Sequence, residues 1–357
     1  MFFSERRRFC FRTEKAGDHE AGGRLFREDM PGRGSLPLKT VCSICNKNIE
    51  NTIISGVEAD SRVYAVSMCG DCRVAVTVPP PSAEDLERLY YSGNYRSAGG
   101  RRFNPFIEFF IYLSRLQRKR RIKKYVKRGR ILDIGCGRGL ALEVMRRDGW
   151  EVAGVEFSRE AAACADRQYG IHVVHGVIEE WGFQPGSFDV ITIYHVLEHL
   201  EKPAQVLEEC GRLLRKGGLL VCAVPDISSL QATTGKGKWF HLDVPYHIHH
   251  FTEPGLVALL TKKGFTVVKI RRMDLEHNLF GWLQTLFNIS GFRKNLLYRL
   301  LKNRDLRAAE RTGASRCEII FTLLLLPFYF VLAVVLSIFE SYILRRGGTV
   351  AVYAVKK

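Results

Sequence analysis

The sequence predicts an α/β fold built on a mostly parallel sheet, preceded by a small cysteine-bearing module and interrupted near its end by an apolar helical insert. Three observations carry this. "RGRILDIGCGRGLALEVMRRDGWEVAGVEFS" reads as strand, glycine turn, helix and second strand. Strand-like and helix-like runs then alternate, as they do where parallel strands are joined by crossover helices. Two C-x-x-C pairs, Cys42/Cys45 and Cys69/Cys72, stand ahead of this unit.

The elements follow in order. Arg130–Ile134 is the first strand, and Gly135, Gly137 and Gly139 form a turn whose backbone can approach a ligand without Cβ interference. A helix over Ala141–Arg147 leads to a strand over Glu151–Val155. Ile171–His175 and Phe188–Tyr194 are the third and fourth strands, and a helix over Pro203–Leu214 precedes the fifth, Gly218–Val224. Thr252 caps a helix opened by Glu253 and Pro254 and closed near Gly264, after which Phe265–Ile270 is a sixth strand. "GGTVAVYAVKK" (Gly347–Lys357) alternates like a final strand.

The turn is G-C-G-R-G, not the dinucleotide G-x-G-x-x-G, and Asp133 just ahead of it suits a cationic ligand better than a pyrophosphate. Glu156, 23 residues on, ends the second strand where a carboxylate can hold a ribose. "ILDIGCGRG", with "FDVITIYHVLEH" and "LRKGG" downstream, resembles the class I S-adenosylmethionine-dependent methyltransferases. The resemblance covers residues 127–275 and the last strand. It implies a Rossmann-like seven-stranded sheet whose seventh strand runs antiparallel between five and six. It also implies S-adenosylmethionine as cofactor, held by Asp133, Gly135, Cys136, Gly137, Gly139, Glu156 and Phe157, with His195 at its methionine end. One departure follows the third strand: where the family places an aspartate beside the adenine, this chain has Gly176–Val177, leaving that contact to backbone or Glu179.

"HVLEH" (His195–His199) also fits the H-x-x-E-H pattern of inverted zinc peptidases, but it follows a strand at the crevice end of the sheet, not a helix. In the methyltransferase reading, Glu198 and His199 stabilise the helix entry. The segment "WFHLDVPYHIHHF" resembles one found in methyltransferases acting on envelope sugars, lipids or quinone-like acceptors. Trp239, His241, Asp243, His247 and His250 form the pool of substrate contacts. Methylation of a hydroxyl calls for a base of pKa near neutrality, which selects His247 first and His241 second. His247, His249 and His250 have the spacing of either a metal triplet or a loop of alternating side chains.

Cys42, Cys45, Cys69 and Cys72 form two knuckles with 23 residues between them, able to bring four thiolates to one tetrahedral Zn²⁺. A segment this short has little core of its own, so a structural Zn²⁺ would supply much of its folding energy. Two redox or merely buried cysteine pairs are the alternative.

The chain carries 54 Lys+Arg against 37 Asp+Glu, a formal charge of +17. Residues Arg115–Arg130 hold ten basic residues in sixteen without a nucleic-acid-binding signature, so nucleic acid is an unsupported partner. Ile319–Phe339 is a run of twenty-one residues with no charge and one proline. It is long enough for one crossing, yet one crossing would part the last strand from its sheet neighbour. A hairpin turning at Pro327, or an interfacial insert, resolves this, with Arg345, Arg346 and the earlier basic cluster against acidic head groups of membrane lipids. The N-terminus lacks the apolar core of a secretory signal, which predicts the cytoplasmic face.

The expected organisation is a flexible tail over 1–38, a zinc-ribbon-like module over 39–78, a helical basic linker over 79–126, the cofactor-binding core over 127–275, a membrane-associating insert over 276–346 and a closing strand over 347–357. The leading functional expectation is O-methylation of a lipid-linked saccharide, lipid or other cell-envelope precursor at the membrane surface, with a small-molecule or lipid-linked acceptor and acidic membrane lipids as partners. A zinc-ribbon methyltransferase for RNA or protein and a non-catalytic membrane scaffold are the alternatives. Oligomeric state is not legible.

Overall fold

A computed structural model describes residues 40–49, 51–59, 61–82, 85, 103, 105–176, 178, 182–302 and 313–357. The expected tail over 1–38, the tyrosine-rich stretch at Tyr90, Tyr91 and Tyr95, Val177, Glu179 and residues 303–312 of the insert lie outside them.

The described residues begin with five strands, β1 (Thr40–Val41), β2 (Asn48–Ile49), β3 (Asn51–Ala59), β4 (Arg62–Met68) and β5 (Val74–Val78). Helix α1 (Pro105–Ile122) leads to β6 (Arg130–Ile134), α2 (Leu140–Arg146), β7 (Glu151–Glu156), α3 (Arg159–Tyr169), β8 (Val173–His175) and β9 (Phe188–Tyr194). Then come α4 (Pro203–Leu213), β10 (Leu214–Pro225), α5 (Leu230–Gly235), β11 (His249–Phe251), α6 (Glu253–Lys262) and β12 (Phe265–Arg271). Helices α7 (His277–Ile289), α8 (Leu296–Lys302) and α9 (Arg316–Ile338) precede β13 (Thr349–Lys356).

The main sheet has seven strands in the order β12-β13-β10-β9-β6-β7-β8. Strands β10, β9, β6, β7 and β8 are mutually parallel, and β13 runs antiparallel to both β10 and β12. This is a Rossmann-like mixed sheet. Its strands are apolar on both faces because both are covered. Leu132, Ile134, Ile191, Ile193, Leu220 and Val352 bury one face with Leu256, Leu259 and Leu260 of α6. Ile122 of α1, Trp150, Val190, Val221 and Tyr353 bury the other. Helix α6 starts where Thr252 caps it, its hydroxyl accepting from the Gly255 amide at 3.1 Å.

A second sheet of four strands has the order β11-β5-β4-β3. Strand β11 comes from the histidine-rich loop that follows α5, so the cysteine segment and that loop share one sheet.

Between β12 and β13, α7 runs outward and α9 returns. Their antiparallel packing is fixed by three contacts in reverse order: the Trp282 indole donates to Glu340 (2.7 Å), Ser290 meets the Tyr329 hydroxyl (2.7 Å), and the Arg293 amide donates to Glu318 (2.6 Å). Trp282, Leu286 and Phe287 pack on Leu326, Ala333 and Leu336 along the same seam. The expected turn at Pro327 is not formed. The helix runs unbroken through Pro327 and continues as a π-helical turn over Phe339–Ile343. The chain reverses upstream instead, because α7 supplies the outward leg and a lone proline costs less than dismantling an apolar helix. Among the described residues, Arg316–Ile343 is one helix long and apolar enough to cross a membrane. Leu324, Phe328, Val331, Val335 and Ile343 lie exposed on it.

Candidate functional site

The carboxyl ends of β6 and β7 place Asp133 and Glu156 on either side of the glycine turn, and both carboxylates are buried. Gly135, Gly137 and Gly139 all have left-handed φ, +71°, +58° and +77°. At Gly135 the demand is double, since a Cβ there would also strike the Cγ2 of Val196. Glu156 accepts from the Gly137 amide (2.7 Å) and the Ser158 amide (3.0 Å), which ties the acid to the turn it faces. Asp133 accepts the Thr192 hydroxyl at 2.6 Å, and burial pushes its pKa up to about 6 despite that bond. Cys136 is buried beneath the turn, where a Cβ on Gly154 would meet its sulfur. Phe157 lies on the exposed rim beside Glu156.

Across the crevice, β9 is followed by a left-handed residue, His195 (φ +54°). Its ring stacks on His277 at 3.9 Å, its Nε2 is buried without a hydrogen-bond partner, and its Nδ1 lies 3.4 Å from Glu198. Glu198, on the short turn Leu197–His199, is 1% exposed, and neither of its carboxylate oxygens has a hydrogen bond. His247 places Nε2 4.0 Å from the same carboxylate, and its ring meets that of His199 at 4.6 Å. His199 is oriented by the Tyr246 carbonyl, 2.9 Å from Nδ1. One ligand atom each from Glu198, His199 and His247 falls within 4.8 Å of the others, a set able to hold a divalent ion.

His241 is buried beside this group and directs Nε2 to the His277 carbonyl at 3.0 Å. Burial, reinforced by neighbouring histidines, depresses the whole set: His195 to about 4, His241 to about 3 and His247 well below the ordinary imidazole value. His195, His241 and His247 therefore favour the neutral form.

The remaining members of the expected contact pool divide. Trp239 is a core residue, packed with Tyr64 and Leu242 and donating its indole N–H to Gln231 at 2.9 Å. His250 and His249 bond away from the crevice, to Thr77 (3.0 Å) and Ser43 (2.6 Å), so His247, His249 and His250 do not converge as a triplet. Asp243 takes a left-handed turn position in the loop.

Part of the basic cluster does not face outward. Arg115 and Arg118 turn into the crevice wall and pair with Glu276 and with Asp274, while Lys119 and Lys123 bind Asp148. Arg118 also lies 4.1 Å over the Tyr194 ring. Burial opposes the Asp274 charge, but Arg118 and His277 outweigh it and hold its pKa well below the carboxylate range. These four basic side chains are thus engaged by the chain's own acids rather than offered to head groups. His277, Asp274 and Arg118 escaped the sequence reading because a helical basic run and the start of an apolar insert give no sign that they meet.

The four cysteines converge, with Cys42–Cys72 and Cys45–Cys69 sulfurs at 3.5 Å. All four sulfurs lie within 4.8 Å of one another, as a tetrahedral thiolate site requires. The Cys42–Cys72 contact splits that pair, pulling the Cys42 thiol down to about 5 and pushing Cys72 up.

Residues 108–270 match the methyltransferase domain family. A ubiquinone biosynthesis O-methyltransferase of Maricaulis maris is 43% identical over 147 residues, 38% of this chain and 58% of that protein. Its namesake in Burkholderia thailandensis is 35% identical over 157 residues, 38% of this chain and 68% of that protein. A crystal structure of an Archaeoglobus fulgidus SAM-dependent methyltransferase aligns at TM-score 0.45 and 22% identity, covering 75% of this chain and all of that one. The chain spans about half the length of several curated relatives it matches, between 40% and 58%. With the glycine turn and both strand-end acids in place, and with that identity across two thirds of a relative, the chain belongs to the S-adenosylmethionine-dependent methyltransferase family.

Proposed function

We propose that this protein binds S-adenosylmethionine at the ends of β6 and β7 and methylates an oxygen of a small-molecule or lipid-linked acceptor at a membrane surface. The observation that carries the reading is the placement of Asp133 and Glu156 around three left-handed glycines, opposite a buried histidine–carboxylate cluster. The residues suit the cofactor. The left-handed glycines keep the turn free of side chains, and the Nε2 of His195 is a buried polar atom left without a hydrogen-bond partner. Glu156 and Phe157 take the ribose side, Asp133 and Cys136 the turn, and His195 the methionine end. Bound there, S-adenosylmethionine supplies a methyl group carried on a sulfonium.

The acceptor's side is the histidine loop. Burial lowers the His247 pKa well below the near-neutral value expected of such a base; lying 4.0 Å from Glu198, it takes the acceptor proton at Nε2 with the carboxylate offsetting part of the cost of the imidazolium so formed. His241 is the second choice, since its Nε2 is already engaged. Several relatives are named O-methyltransferases of ubiquinone biosynthesis, which favours an oxygen acceptor of modest size. The exposed apolar flank of α9 favours a lipid-linked one. Zn²⁺ at the four cysteines is part of this reading as a structural ion.

A second reading is favoured by the unpartnered oxygens of Glu198: a divalent ion held by Glu198, His199 and His247 would compensate the buried charge. Calorimetric titration with S-adenosylmethionine tests the first, and Asp133→Asn is expected to weaken binding about tenfold or more. Transfer of labelled methyl groups to fractionated lipid and glycan extracts identifies the acceptor, and failure of the wild-type protein to bind the cofactor rejects the proposal. Titration of the same protein with Mn²⁺, followed by electron paramagnetic resonance, decides the second, which requires binding that Glu198→Gln abolishes.

A further inference from the structure

The loop carrying His247 is gripped from two sides. On the crevice side the Ile248 amide donates to the Glu198 carbonyl at 3.0 Å. On the other side it joins the sheet of the cysteine segment. β11 pairs antiparallel with β5, His249 opposite Val76, His250 opposite Ala75 and Phe251 opposite Val74. The ladder is extended by the Thr77 amide, which donates to the Ile248 carbonyl at 3.0 Å.

Two side chains of the cysteine segment reach the loop directly. The Thr77 hydroxyl, 1% exposed, donates to the His247 carbonyl at 2.6 Å. Its hydrogen spent, that oxygen can only accept from the His250 Nε2 at 3.0 Å, which sets the His250 tautomer. Ser43, inside the first cysteine knuckle between Cys42 and Cys45, lies 2.6 Å from the His249 Nε2. The second knuckle is equally close. Thr252 donates to the Arg73 carbonyl at 2.8 Å, and a Cβ on Gly255 would strike the carbonyls of Cys72 and Arg73 at 2.9 and 2.7 Å.

We propose that Thr77 is a positioning residue for the His247 loop, and that occupancy of the four-cysteine site acts on the crevice through Thr77 and Ser43. Four thiolates gathered on a cation fix both knuckles, and both knuckles touch the loop or the start of α6. With the cation removed, the knuckles lose their common anchor, β5 loosens, and the histidine loop loses one of its two supports. The cysteine segment is then a clamp on the acceptor side of the sheet rather than an independent domain. The inference rests on the proposed function only in treating this loop as the acceptor's side.

The test uses the full chain in its Zn²⁺-loaded and chelator-stripped forms, with Thr77→Val and Thr77→Ser. Hydrogen exchange over residues 247–251 is expected to accelerate about tenfold or more in Thr77→Val and on stripping, and Thr77→Ser to restore protection. Nitrogen-15 histidine spectra are expected to show the His250 Nε2–H tautomer in the wild type and Thr77→Ser, and its loss in Thr77→Val. Thiolate absorption of the Co²⁺-substituted protein shows whether the cysteine site stays formed in each variant. Should Thr77→Val fail to fold, Ser43→Ala carries the same measurements through His249. Loop exchange unchanged by stripping, or exchange and tautomer unchanged in Thr77→Val, overturns the proposal. S-adenosylmethionine affinity in the same samples tests the proposed function separately, since a protein that ignores the cofactor yet shows the clamp keeps this inference and loses that one.

Discussion

Five histidines sit in the crevice wall and its supporting loop with their protonated forms disfavoured. Burial is the first cause in each, bringing His195 and His249 to about 4 and His241 and His250 to about 3, with His247 well below the usual value. Their effect on stability has a definite sign. The unfolded chain takes up protons near pH 6.5, whereas the folded one resists until far lower. Stability from these groups is complete above that value and falls as pH drops, each contributing at most about 1.4 kcal/mol per pH unit. Asp133 and Asp226, both raised to about 6 by burial, oppose this between their ordinary range and pH 6. Five histidines against two aspartates leave the histidine slope in control. Urea melts at successive pH values should therefore lose stability from about pH 6.5 down to pH 4. His247→Gln together with His250→Gln should flatten the slope.

At the scale of elements, the return helix α9 is held to the core at its base by a polar network inside an apolar seam. Glu340, fully buried, accepts from the Trp282 indole (2.7 Å) and from the Gln231 amide (3.2 Å). Gln231 in turn accepts from Trp239 (2.9 Å) and donates to the Asn278 carbonyl (3.1 Å). One carboxylate thereby ties α9, α7, α5 and the start of the histidine loop together. Glu340→Ala leaves two buried donors unmet and should cost about 2 kcal/mol or more in chemical denaturation. Glu340→Gln, which keeps an acceptor oxygen, should recover part of it. No change from the alanine variant would show that water or a rearranged seam satisfies those donors. The same base explains why Pro327 does not break the helix: α9 is fixed below by Glu340 and above by Glu318, and the proline falls between.

Over the whole molecule, the α7–α9 pair leaves the sheet after β12 and returns to β13, the strand beside it. A 28-residue helix is about 42 Å long, more than a hydrocarbon core of about 30 Å requires. Leu324, Phe328, Val331 and Val335 are all exposed on it, an apolar flank of the kind that marks a membrane or partner surface. The intact protein should partition with liposomes or require detergent for extraction. Leu324→Lys, Phe328→Lys and Val331→Lys together should shift it to the aqueous phase with cofactor binding retained. A wild-type chain freely soluble without detergent would remove the membrane from the proposed function.

The sequence by itself determined the sheet, the glycine turn and the two acids at its strand ends. Glycines at alternate positions, apolar strand runs and an acid at each of two strand ends are local signatures, because left-handed φ and two-sided burial restrict which residue types can stand there. Strand β9 and the Thr252 cap were legible for the same reason. The four cysteines were legible as a set because C-x-x-C spacing is itself the geometry of a knuckle. Only the tertiary structure decided how distant pieces meet. Arg118 reaching Asp274, His277 stacking on His195, Thr77 holding His247 and α7 serving as the outward leg for α9 all join residues far apart in the chain. No local periodicity encodes such meetings, since they depend on which faces remain to be buried once the sheet has formed. Pro327 is the clearest instance. Alone it marks the middle of an apolar run as the place to turn, but packing against α7 and anchoring at both ends keep the helix whole.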